Sequence, residues 1–192
     1  MRDGEPGADP FTLYADVVET PACLRIELQA EGDGYADLPR WCAGLIAAGR
    51  GVTRALVALD HDEYGAELIV LATGEDGGPG LVYHVYAHPQ DEETGELYEE
   101  GEPTPVDVPA LVPAEPDGND SGIVLAGPQA RQALARLYGA PAERVETACL
   151  RGVQHARETS GTIGEPFAPW LGALGIEWWA GGKDHPRMVL RP

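Results

Sequence analysis

Between Val52 and Pro89 short apolar runs alternate with short polar ones: RALVALD, HDEYG, AELIVLATG, EDGGPG and LVYHVYAHP. The apolar runs have the length and composition of strands. The polar ones are rich in Asp, Glu, Gly and Pro, which break strands and form turns. The pattern predicts a three-stranded antiparallel meander. Upstream, residues 11–19 and 23–30 read as a hairpin through Thr20-Pro21-Ala22. In its second arm Leu24, Ile26 and Leu28 alternate with Arg25, Glu27 and Gln29, the period of a sheet with one wet face. A helix is expected over about 38–48, capped by Asp37, with Trp41, Leu45 and Ile46 toward the core.

Downstream, Gly127-Pro128 opens a helix that runs to Tyr138, where Gly139 ends it. A second helix spans about 141–157, with Val145, Ala148, Cys149, Gly152, Val153 and Ala156 on one face. A short helix over 166–174 and a tail hairpin around Gly181-Gly182 complete the reading. The fold class is therefore α+β: an antiparallel sheet of about five strands with a central meander, one helix, and a C-terminal helical pair. The expected division is a disordered lead at 1–10, the sheet with its first helix at 11–89, an insertion at 90–122, and the helical pair with the tail hairpin at 123–192.

Charge changes this picture at one place. The chain of 192 residues has a net charge of −19, and residues 90–122 alone carry eleven acids, no base and five prolines, leaving −8 for the rest. Like-charge repulsion and proline both oppose packing, so an extended or mobile segment is expected there, with Leu111 and Val112 as one docking point. So negative a chain is a poor ligand for nucleic acid or an anionic membrane. It suits a protein partner with a basic surface. Asp91, Glu92, Glu93, Glu96, Glu99, Glu100 and Glu102 would steer such a partner, and Trp178 and Trp179 would supply apolar contact.

No run approaches about 18 apolar residues, and the first ten residues lack the apolar stretch of a secretory signal. The three cysteines are scattered and never paired as CxxC, which fits small buried side chains in a reducing cytosol, so a cytoplasmic location is expected.

Candidate chemistry is sparse. No P-loop, GxSxG or helix-opening GxGxxG is present, and no cofactor is expected. The turn Asp60-His61-Asp62-Glu63 and the strand residues His84 and His88, which share one face by period two, supply imidazoles and carboxylates. If the ends of the first and third strands approach, His61, Asp62, His84 and His88 would suit a divalent metal and a metal-dependent enzyme. The segment 130–152, ARQALARLYGAPAERVETACLRG, has a small residue at Ala135, Gly139 in the turn and Val145 ten residues after Ala135. This spacing resembles the helix-turn-helix of repressor-type DNA-binding domains. The resemblance implies a recognition helix over 142–150 and contacts from Arg144, Thr147 and Arg151, while Glu143 and Glu146 would oppose a duplex. The same spacing also describes a plain αα-hairpin covering a sheet. From 123 to 158 five arginines face three glutamates, so this region is mildly positive beside the acidic segment.

These features favour a non-catalytic protein that binds or accompanies another, of the immunity or antitoxin kind or an accessory subunit. A DNA-binding regulator and a metal-dependent enzyme are the alternatives.

Overall fold

The computed structural model describes residues 13–19, 24–30, 38–61, 65–88, 90, 94–97, 101–113, 123–159, 165–176 and 187–190. The chain separates into two compact units, one of residues 1–37 with 181–192 and one of residues 38–180.

In the smaller unit β1 (Leu13–Glu19) pairs antiparallel with β2 (Leu24–Ala30) over seven positions, from Leu13 opposite Ala30 to Glu19 opposite Leu24. The other edge of β1 is taken by β7 (Arg187–Leu190), giving the order β2-β1-β7.

The larger unit contains α1 (Leu38–Ala47), then β3 (Arg54–Asp60), β4 (Ala66–Thr73) and β5 (Pro79–Ala87), which form the meander. The short β6 (Ile123–Leu125) pairs with the free edge of β5, so the sheet order is β3-β4-β5-β6. Residues 109–111 lie along the same edge: Leu81 N–H donates to Pro109 O and Leu111 N–H to Leu81 O, both at 2.8 Å.

The described strands thus form two sheets of three and four, not one of about five. A strand has two hydrogen-bonding edges. Those of β1 are used by β2 and β7, and the outer edge of β5 by β6 and residues 109–111. The tail strand, read as half of a local hairpin, pairs with β1 instead. The other half of that hairpin lies outside the described residues.

The core of the larger unit centres on β4, whose residues 66–72 are all buried. A strand covered on both faces reads as a continuous apolar run, which AELIVLA is except at one position. Against the sheet pack α1, α2 (Pro128–Tyr138) and α3 (Ala142–Thr159), and α4 (Ala168–Leu174) packs on α3. Trp170 of α4, 2% exposed, donates its Nε1–H to the Tyr83 hydroxyl of β5 at 3.3 Å. Gly152 of α3 allows this approach: a Cβ there would stand 2.5 Å from the Trp170 ring.

The buried stripe of α3 (Val145, Ala148, Cys149, Gly152, Ala156) follows the spacing read from sequence. In α1 Ile46 is buried as expected, but its companions are Pro39 and Ala43, and Trp41 and Leu45 are exposed. The two stripes lie side by side on one helix, and packing selects between them. No helix among the described residues is long and apolar enough to cross a membrane.

Candidate functional site

The exception in the β4 run is Glu67, fully buried at the middle of the sheet. It stands opposite Leu59 of β3 and Tyr86 of β5, while Ile69, two residues on, stands opposite His84. Period two therefore puts Glu67, His84 and Tyr86 on one face, opposite to the face where Tyr83 meets Trp170.

Four donors converge on the Glu67 carboxylate. His84 Nε2, on a side chain 1% exposed, bonds Oε1. His61 Nε2, at the end of β3 and 24% exposed, bonds Oε2 at 3.3 Å. Thr104 supplies two more: its backbone N–H reaches Oε1 at 2.8 Å and its hydroxyl reaches Oε2 at 2.5 Å. An ionised carboxylate only accepts, and it has about four lone-pair directions. The carboxylate therefore meets the requirement that a buried charge be paired and hydrogen-bonded, while His84 Nδ1 beside it is buried without a hydrogen-bond partner.

Burial opposes the charge, but hydrogen bonds from His61, His84 and Thr104, with the charge His84 can carry, outweigh it and lower the Glu67 carboxyl from 4.5 to about 2. Burial, then the nearby Glu67 charge, raises the Tyr86 phenol. Tyr86 also joins the histidines: its ring lies 6.0 Å from that of His61 and meets the edge of His88 at 4.8 Å.

Thr104 belongs to the acidic, proline-rich segment expected to be extended or mobile, and this contact ties it to the sheet. Thr104 is buried, and the chain from 101 to 113 crosses the sheet to reach the edge of β5. There Leu111 docks as its position between prolines suggested. It packs so closely on Gly80 that a Cβ at Gly80 would lie 2.4 Å from it. A third tie lies near Gln90, which donates to Gly95 O at 2.7 Å and accepts from Gln154 of α3 at 3.1 Å. Repulsion among carboxylates does not prevent this docking, because the anchors are Thr104, Leu111 and Gln90. The acids Glu96, Glu102 and Asp107 are exposed.

Of the residues expected to meet a partner, Glu96 and Glu102 are thus exposed, while Asp91, Glu92, Glu93, Glu99, Glu100, Trp178 and Trp179 lie outside the described residues. Of the four expected to bind a metal, His61 and His84 meet on one carboxylate, His88 packs on Tyr86, and Asp62 lies outside the described residues. Both shared imidazoles direct Nε2 at Glu67, and no group of three or more His, Cys, Asp or Glu among the described residues is arranged to hold a metal ion. Glu67 itself was missed by sequence reasoning. Its signal was a lone carboxylate inside the most apolar run of the chain.

The expected DNA contacts Arg144, Thr147 and Arg151 are exposed on α3. With α4 they line an open groove of about 730 Å³, across which Arg144 donates to Gly172 O at 2.5 Å. Arg131 turns inward, donating to Ala126 O at 2.9 Å and pairing with Glu146 at 3.3 Å.

No family model matches the chain, and no curated protein or solved structure is significantly similar to it.

Proposed function

We propose that this chain is a binding protein, an inhibitor of the immunity or antitoxin kind or an accessory subunit, that presents an acidic surface to a basic protein partner. The observation that carries this reading is the anchoring of the acidic segment by Thr104 on the buried Glu67 carboxylate. A free acidic tail would lose its conformational freedom on meeting a partner. The described parts of the segment are tied at Gln90, Thr104 and Leu111, and each tie fixed in advance leaves less of the interaction energy to be spent on ordering. Glu96, Glu102 and Asp107 stay in solvent, where opposite charge on a partner accelerates encounter and fixes register more than it adds affinity.

The test is affinity capture at physiological salt with the wild-type chain and with a triple variant, Glu96→Gln, Glu102→Gln and Asp107→Asn. The expected result is a strongly basic protein retained by the wild type and lost from the variant. Equal retention by both, or no specific partner for the wild type, overturns the reading.

A further inference from the structure

On α3, Arg144, Thr147, Arg151 and His155 recur at steps of three, four and four residues, which places them along one face. All four line the groove against α4, whose facing wall includes Gly172. The wall is cationic in a chain whose net charge is −19. Neither Arg144 nor Arg151 forms an ion pair among the described residues, and one acid, Glu143, lines the groove with them. Arg144 is held across the groove by a backbone carbonyl, so its position is fixed while its charge is not neutralised.

The groove is shallow and open to solvent, so charge rather than enclosure decides what it takes. The distant carboxylates of the chain are screened beyond about 8 Å at physiological salt, so the lining charges, two guanidinium groups against the one Glu143 carboxylate, set the potential inside it. From Arg144 to Arg151 the helix rises about 10 Å, enough for two anionic groups on one ligand. Guanidinium forks with a hydroxyl between them match phosphate oxygens.

We propose that the α3–α4 groove binds a small organic phosphate carrying two or more anionic groups, with Arg144 and Arg151 pairing with its oxygens and Thr147 donating a hydrogen bond. This site is separate from the acidic strip and stands or falls independently of it. A duplex is the less suitable occupant, because α4 flanks the helix that would have to enter a groove.

The experiment is calorimetric titration of the full chain with inorganic pyrophosphate at constant ionic strength, with citrate and a short DNA duplex as parallel titrants. Arg151→Ala is expected to weaken pyrophosphate binding about tenfold or more, the loss of a charge-assisted contact. Gly172→Leu is expected to abolish it by filling the groove; a Cβ at Gly172 meets nothing within 4 Å, so the fold tolerates a side chain there. Thermal unfolding of each variant establishes that it is folded. No saturable heat with pyrophosphate, equal binding of citrate, tighter binding of duplex, or pyrophosphate binding untouched by both substitutions overturns the proposal.

Discussion

Replacing Thr104 by valine removes one hydroxyl and preserves the shape of the side chain. The hydroxyl donates to Glu67 Oε2 at 2.5 Å, within a site where both residues are buried. The backbone N–H of residue 104 still reaches Oε1, at 2.8 Å in the wild type, and both histidines remain. A hydrogen bond to a charged group contributes about 1.5–3 kcal/mol, and valine leaves one carboxylate lone pair unsatisfied. The expected loss is about 2 kcal/mol, or roughly 4–8 °C in Tm for a chain of this size. Urea denaturation followed by fluorescence and far-UV dichroism measures the loss. Amide hydrogen exchange at Leu81 and Leu111, whose N–H groups tie the acidic segment to β5, measures where it falls. If Thr104 anchors the segment, exchange at Leu111 accelerates before global unfolding. An unchanged denaturation midpoint together with unchanged protection of Leu111 would refute the reasoning that the buried carboxylate holds the segment.

Three further outcomes follow from the same geometry. The folded Glu67 carboxyl is lowered from 4.5 to about 2, so the stability it contributes is complete above about pH 4.5 and disappears as pH falls toward 2; the difference corresponds to about 3 kcal/mol. Urea midpoints of the wild type minus those of Glu67→Gln, taken across that window, isolate this contribution from the general charge of the chain, and a flat difference would contradict it. Gly152→Ala places a methyl group 2.5 Å from the Trp170 ring and is expected to cost about 1–3 kcal/mol, read as a lower Tm; a variant as stable as the wild type would show that α3 and α4 pack less closely. Burial raises the thiols of Cys42 and Cys149 to about 11, so both should alkylate far more slowly at pH 8 in the native chain than in urea, which mass spectrometry of iodoacetamide-treated protein measures.

Local pattern was sufficient for most elements of the larger unit. Each strand of the meander is a short apolar run between turn formers, and α2 and α3 carry apolar stripes at helical spacing, so propensity and periodicity agree there. The α1 helix marks the limit. Its sequence offers two adjacent apolar stripes, and only contact with β3, β4 and β5 selects Pro39, Ala43 and Ile46 over Trp41 and Leu45.

Other features depend on pairings between distant residues, which a one-dimensional pattern does not carry. β7 joins β1 across more than 170 positions, a pairing that no local pattern announces. Glu67 and Thr104 are 37 residues apart, and although a lone carboxylate in an apolar run marks Glu67, nothing local points to Thr104 as its partner. The acidity and proline content of residues 90–122 were legible as composition, whereas their docking was not. Composition sums charges, but docking turns on where one hydroxyl and one amide meet a carboxylate that burial has left with no water to bind.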